Sequence, residues 1–416
     1  MRLHIPPSLK HRRFRLYWLG LTISIAGTQM QTWALFWHIR TLTDQPIALG
    51  GIGLARIVPI LFFSLVGGAV ADVLNRRNLL YFTQSMMTLV AFALAWLTLS
   101  GHITLWHIYL LTAIQAMAVA FDTPSRQALV PNLVPARDLP NAFSLTSAGF
   151  QAGAIVGPAL GGLVIAYWGQ SFTYLINAIS YLAVIVALIL MGPVVQQRDA
   201  NHRAGISLPA IREGLKFIWL HPIILSTMIL DFFATFFSSA NTLMPIVARD
   251  ILHVGAIAYG WLSSAQAIGA VTAALVISQV RELRRQGALL LSAVVAFGVA
   301  TIGFGLARSF ILAMLALILV GAADSVSTIV RNTIRQLQTP DYLRGRMTSV
   351  NQLFFMGGPQ LGEVEAGLVA QVLGAPFAII SGGLGCLLAV GWIIRRWPQL
   401  HRYNGDEPVL AGGLAD

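Results

Sequence analysis

Residues 67–80 read GGAVADVLNRRNLL. One acid, Asp72, and two arginines, Arg76 and Arg77, lie between two apolar runs. The upstream run reaches back to about residue 47, and the downstream run continues to about residue 100. Each exceeds the ~20 residues that an α-helix needs to cross a hydrocarbon core of ~30 Å. The stretch therefore reads as a short basic connection between two membrane-crossing helices. A related break, Leu283-Arg284-Arg285, precedes another apolar run far along the chain.

Extending the reading in both directions gives twelve spans. They lie at roughly 16–38, 47–71, 79–100, 104–128, 141–167, 171–191, 222–248, 256–279, 287–306, 309–334, 347–372 and 375–394. The composition agrees: the 416 residues are 56% hydrophobic and only 10% charged, with a mean hydropathy of +0.72. A soluble chain carries far more charge. The expected fold class is an all-α membrane protein with twelve transmembrane helices in two six-helix pseudo-repeats. The basic N-terminus is followed by an apolar run too long for the core of a secretory signal, so it reads as a retained first span.

The repeat shows in paired landmarks. Arg126 and Arg331 each stand nine residues before a proline, Pro135 and Pro340. Trp168-Gly169 closes span five as Leu373-Gly374 closes span eleven. The organisation that follows is an N-terminal half, 1–191, and a linker with an amphipathic surface helix, 192–221. A C-terminal half, 222–396, and a tail, 397–416, complete it. Such parallel repeats suggest a central site near the midplane. All but four of the 27 Lys and Arg residues fall at the termini or in alternate loops and their helix ends. The exceptions are Arg40, Arg249 and Arg308 in the opposite loops and Arg56 inside span two. This bias makes both termini cytoplasmic. It also accounts for the net charge of +11 without nucleic acid as a partner.

Several chemistries are excluded. The single cysteine, Cys386, supports neither a disulfide framework nor a Cys/His metal site. No G-x-x-x-x-G-K-[ST], H-E-x-x-H or G-x-S-x-G occurs, so neither an ATP-driven step nor hydrolytic chemistry is indicated. No enzyme activity, cofactor or metal is implied.

The opening stretch resembles motif A of the major facilitator superfamily, with Gly68, Asp72, Arg76 and Arg77 matching and Val73 and Asn75 departing from the usual residues. The resemblance implies a latch on the cytoplasmic side. On physical grounds Asp72 is expected to pair with Arg76 four residues on, or to face a helix N-terminus. GAIVGPALGG, from Gly153, resembles motif C of that superfamily's antiporters through Gly153, Gly157, Pro158, Gly161 and Gly162. It implies export. Glycines four apart give a smooth face for a close helix neighbour, expected in span eight at Ala265, Gly269 and Ala273. FDTPSRQALVPNLVPARDLPNA, from Phe121, is similar to the enterobactin-exporter-like secretion branch. Within it Asp122 and Arg126 are one turn apart, an ion pair and a candidate gate.

Charged residues inside spans are Arg56, Asp231, Asp324, Glu363 and Glu365. A carboxylate in hydrocarbon is costly unless paired, hydrated or neutralised, so each is a candidate proton-coupling group. At ~1.5 Å per residue, Arg56 lies roughly 13 Å from the outer end of its span, Glu363 about 12 Å and Glu365 about 9 Å. An interhelical ion pair of Arg56 with one glutamate is expected, Glu363 being favoured by depth. Residues two apart point ~200° from one another, so the other glutamate faces elsewhere. Asp231 has no base nearby in its own span and is expected to be neutral unless another helix supplies a partner. Gln29, Gln31, Trp33, Phe233, Phe237 and Asn241 are candidate cavity residues, polar groups and aromatic walls that suit an amphipathic ligand.

The expected function is proton-coupled export of a small amphipathic organic compound, such as a siderophore or drug, across a bacterial inner membrane. The partners are that substrate, protons and the lipid bilayer; a monomer is compatible with the sequence. The alternatives are a facilitator or importer with structural carboxylates, and a scaffold on a transporter fold that has lost transport.

Overall fold

A computed structural model describes residues 6–194, 215–237, 240–281, 283–340 and 343–407. Most of the expected linker, the tail beyond Glu407 and the side chains of Gly68 and Asp72 lie outside the described residues. Among those described there is no strand. The long helices are α1 (Arg12–Leu42), α2 (Pro46–Val73), α3 (Arg76–Leu99), α4 (Leu105–Leu129), α5 (Leu139–Trp168) and α6 (Gln170–Met191). Then follow α7 (Pro222–Phe237), α8 (Ala256–Ser278), α9 (Gln286–Leu306), α10 (Phe310–Leu337), α11 (Arg344–Leu373) and α12 (Ala375–Arg396). A short α13 (Pro398–Arg402) ends the series. In hydrocarbon every backbone N–H and C=O must be bonded within its own segment, which makes helix the only open-ended solution.

Among the described residues, 10 helices are long and apolar enough to cross a membrane. The other two long helices, α1 and α11, have 31 and 30 residues and carry more polar groups. After Phe237 the seventh span continues through a 3₁₀ turn, Ala240–Leu243, and ends in a π-helical turn, Val247–Ile251. Pro245 near the junction removes a backbone donor, consistent with this irregular course.

The chain forms two compact units. The first comprises Met1–Asp44, Ala55–Ile206 and Gly255–Ser264, and the second Gln45–Leu54, Ser207–Val254 and Ala265–Asp416. Each contains one part of α2 and one part of α8. Within the first unit α1 packs on α5 and α6, and α3 on α4 and α6. Within the second, α7 packs on α11 and α12, and α9 on α10 and α12. The pairing repeats six helices on, as the sequence landmarks do. Each unit has its own apolar core, with Phe14, Leu21 and Leu188 in the first and Leu230, Val294 and Ile393 in the second.

The motif C glycines do not meet the face expected in span eight. A Cβ on Gly153 would lie 2.6 Å from the Ile25 side chain, and one on Gly157 2.6 Å from the Ala26 carbonyl. Their stripe therefore packs on α1. Gly162 instead meets α8, with Gly260 Cα 2.9 Å from the Cβ it would carry. Gly269 packs on Ile318 of α10. Small residues on one stripe are a general device for helix approach, and which neighbour uses them is not set by spacing.

After α13 the chain folds back onto the second unit. Tyr403 is buried, its hydroxyl accepts from Gln338 Nε2 at 3.2 Å, and its carbonyl accepts from Gly287 N–H at 2.9 Å. The Glu407 carboxylate accepts from the N–H groups of Asn404 and Gly405 at 2.7 and 2.9 Å. Burial alone would raise its pKa, but the surrounding backbone N–H groups together hold it below the ordinary carboxylate value. A depressed folded pKa means this contribution is present above the unfolded pKa and lost as pH falls through the folded one.

Proteolysis at 404–407 should therefore stay slow from neutral pH through the ordinary glutamate range and accelerate only below it; Glu407→Gln should be cleaved readily at neutral pH. Equal cleavage of both proteins would contradict the clasp. Along motif C, Gly157→Ala should destabilise by about 1–3 kcal/mol through overpacking on α1. Gly161→Ala, whose nearest contact is 3.4 Å, should be nearly neutral in thermal unfolding of the purified protein.

Candidate functional site

Arg76 and Arg77 both act inside the first unit. Arg76 donates to the Ala128 carbonyl at 2.9 Å and to Asn132 Oδ1 at 3.0 Å. Arg77 donates to the Leu188 carbonyl at 3.0 Å and to Tyr81 Oη at 2.9 Å. Each guanidinium thus serves the last turn of a helix, α4 or α6, where carbonyls lack helical partners and the dipole favours a cation. Asn75 caps α3 by accepting from the N–H groups of Arg77 and Asn78.

The first unit holds a cavity of about 410 Å³. Its polar lining includes Thr28, Gln29, Asp122, Arg126 and Gln127, and its apolar lining Leu21, Ile25, Met87, Phe143 and Phe150. Asp122 is buried and accepts from Thr83 Oγ1 at 2.8 Å and Gln84 Nε2 at 2.7 Å. Its other oxygen faces Arg126 Nε as the one-turn ion pair. Thr83 and Gln84 escaped the sequence reading because nothing in α3 distinguishes them from other polar residues. Gln31 does not line this cavity; it sits in a buried network, donating to Gln115 at 2.6 Å and accepting from Asn177 at 2.8 Å. Trp33 packs edge-on against Tyr259, and its carbonyl accepts from the Tyr259 hydroxyl. The Arg56 guanidinium sits over the Phe36 ring, 5.5 Å from its centroid.

The second unit holds a buried charge cluster. Asp231 on α7 lies 2.9 Å from Arg331 Nη2 and 3.4 Å from Arg335 Nη2, both on α10. Asp231 therefore meets the exception stated from sequence: a partner comes from another helix. Arg335 also donates to the Thr227 carbonyl and hydroxyl, so it grips α7 one turn before Asp231. Arg331 donates to Ser327 and Thr328 of its own helix. Asp324 lies 4.0 Å from Arg331 Nη2. The Asp231 and Arg331 side chains are 4% and 3% exposed, whereas Asp324 is 51% exposed. Arg331 is thus shared between a sealed carboxylate and an open one.

Asp324 and Glu363 line one cavity of about 270 Å³, with Asn241, Thr235, Gln266 and Pro359. Asn241 and Gln266 bond to each other at 2.8 Å. Glu363 sits against the first turns of α2: a Cβ on Gly53 would lie 2.9 Å from Glu363 Cβ, and Gly50 meets Gly367. Glu365, two residues on, is partly buried and is not among the residues lining this cavity. Phe233 and Phe237 stack on each other, and Phe237 packs on Gly382 and Gly385, so both serve the contact with α12.

Arg331 and Arg335 were missed as site residues. The sequence signal existed: Asp324, Arg331 and Arg335 are seven and four apart and share one helical face. Their place at the end of a span made them look like loop charges.

The fold is that of a membrane transporter. A bacterial homologue of the human lysosomal transporter Spinster superposes with a TM-score of 0.73 at 15% identity, covering 96% of this chain and 98% of that one. The family model of the transmembrane secretion effectors matches residues 6–406, and the chain belongs to that family of the major facilitator superfamily. The multidrug efflux pump Tap of Mycolicibacterium fortuitum is 26% identical over 383 residues, 89% of this chain and 91% of that protein. The enterobactin exporter EntS of Escherichia coli is 24% identical over 404 residues, 96% of this chain and 95% of its own.

Asp231→Asn leaves two buried guanidinium groups without their shared carboxylate. It should lower stability by about 3–5 kcal/mol, the usual cost of breaking a buried pair by removing one partner. Arg335→Met keeps the 2.9 Å Asp231–Arg331 contact and should cost less. Thermal unfolding of the detergent-solubilised protein distinguishes the two, and an unshifted Asp231→Asn would contradict the clamp.

Proposed function

We propose that this chain exports a small amphipathic organic compound across a bacterial inner membrane in exchange for protons. Lys/Arg placement supports cytoplasmic termini. The relatives named above are an efflux pump and an exporter, which supports the outward direction. The observation that carries the coupling is the sharing of Arg331. Asp231 holds it from the sealed side and Asp324 approaches it from the open cavity that Glu363 also lines.

The physical sequence is short. With Asp324 ionised, Arg331 is attracted from two sides. A proton on Asp324 removes one attraction and leaves Arg331 to Asp231. Glu363 or Glu365 supplies a second carboxylate on α11 that can be neutralised. Each event changes the charge that α10 or α11 carries in hydrocarbon, and so the relative free energy of two conformations. Arg56 stands one turn beyond Gly53 on α2, and its proposed role is to pair with Glu363 in one conformation. Asp122 and Arg126 are proposed gate groups by virtue of family position; Asp72 is proposed to join Arg76 in the motif A latch.

The test uses everted membrane vesicles acidified inside and a pH-reporting dye. Catecholate siderophores, macrolides, cationic dyes and quinolones are added in turn. One class should release protons, and Asp324→Asn and Glu363→Gln should each abolish the release while the protein remains in the membrane. A compound that crosses in a flux assay without moving protons would make the chain a facilitator. An Arg56→Glu, Glu363→Arg exchange should recover part of the activity that each single change removes.

A further inference from the structure

Arg126 and Arg331 occupy the same position in the repeat, one turn after Asp122 and Ser327 respectively. Their surroundings differ. Arg331 spends its donors on Asp231, Ser327 and Thr328. Its carboxylate arrives from α7, across the helix interface. The corresponding helix of the first unit, α1, has no Asp or Glu anywhere in Arg12–Leu42. Arg126 turns its Nε to Asp122 on its own helix. Among the described residues, neither of its terminal nitrogens donates a hydrogen bond. Those nitrogens belong to a side chain that lines the 410 Å³ cavity.

Asp122 is already occupied. One oxygen accepts from Thr83 and Gln84 and the other faces Arg126 as an ion pair, so its charge is shared between two hydrogen-bond donors and one cation. It positions the guanidinium without saturating it. A guanidinium has five N–H donors in a planar fork and bridges two anions readily. The same cavity is lined by the aromatic residues Tyr17, Phe143 and Phe150 and by Leu21, Ile25 and Met87. An apolar, aromatic-walled cavity with one cationic fork is complementary to a flat apolar body that carries an anionic oxygen group.

We propose that the cavity of the first unit is a binding site for an aromatic organic anion, whose carboxylate or phenolate oxygens take the open face of Arg126. The anion that α7 supplies to Arg331 in the second unit is supplied in the first by the ligand. Arg126 is then a specificity-determining residue, and Asp122 its positioning residue. The use of the site as a transport site rests on the exporter reading; the binding chemistry does not.

Equilibrium binding to the full chain in lipid nanodiscs tests this, with no proton gradient present. The probes are 1-naphthoate, its methyl ester and 1-naphthylmethylammonium. The carboxylate should bind about tenfold or more tighter than the ester, the scale of one charge-assisted contact. Arg126→Gln should bring the carboxylate to the level of the ester and leave the ester unchanged. Arg126→Lys should retain part of the preference. Phe150→Ala should weaken carboxylate and ester alike. If Arg126→Gln fails to fold beside an unpaired Asp122, Asp122→Asn with Arg126→Gln removes both charges and carries the same expectation. Equal binding of carboxylate and ester by the unaltered protein, preference for the ammonium probe, or an unchanged preference after loss of Arg126 would each overturn the proposal. Absence of proton release in vesicles would leave it standing, and absence of discrimination here would leave proton coupling standing.

Discussion

The Asp231–Arg331 contact is the interaction around which the second unit is arranged. A lone charge at that depth costs several kcal/mol, so loss of either residue destabilises the unit. Satisfying the pair fixes the register of α7 against α10, because Arg335 must reach Thr227 one turn earlier on the same helix. The cluster also sets what Asp324 can do. It approaches a guanidinium already committed elsewhere, and it faces an open cavity.

The first unit solves the same problem locally. Asp122 and Arg126 are neighbours on one helix, and α3 rather than α1 provides the further hydrogen bonds. A local pair leaves α1 free of acids. α1 is held by other means: the motif C glycines of α5 admit it closely, and Gln31 ties it to α4 and α6 through Gln115 and Asn177. Two units with the same helix pairings therefore present different chemistry, an Asp–Arg pair in one cavity and two carboxylates in the other.

The span pattern was legible because hydrocarbon imposes it. Helix length, the repeat and the positions of the intramembrane charges follow from apolar runs and their breaks. Residues on uniformly apolar helices were harder to assign. Thr227, Asp231 and Thr235 mark one face of α7, but the rest of that helix is uniformly apolar, so periodicity could not say that Phe233 and Phe237 face α12. Glycine spacing announced a close approach but not its partner, which is α1 for Gly153 and Gly157 and α8 for Gly162. The arginines of α10 were visible as residues and invisible as a site, because a charge near a span end has a simpler explanation in loop topology. Only the third dimension brings Asp231 to them.

The proposed coupling divides labour between two carboxylates: Asp231 is committed to its arginine clamp, and Asp324, beside the open cavity, is the proposed carrier of the exchangeable proton. Infrared difference spectroscopy of the purified protein in lipid, between neutral and acidic pH, reads carboxyl protonation directly. A protonated-carboxyl band is expected that is lost in Asp324→Asn and retained in a folded protein lacking Asp231. A band that vanishes with Asp231 and persists without Asp324 would contradict it.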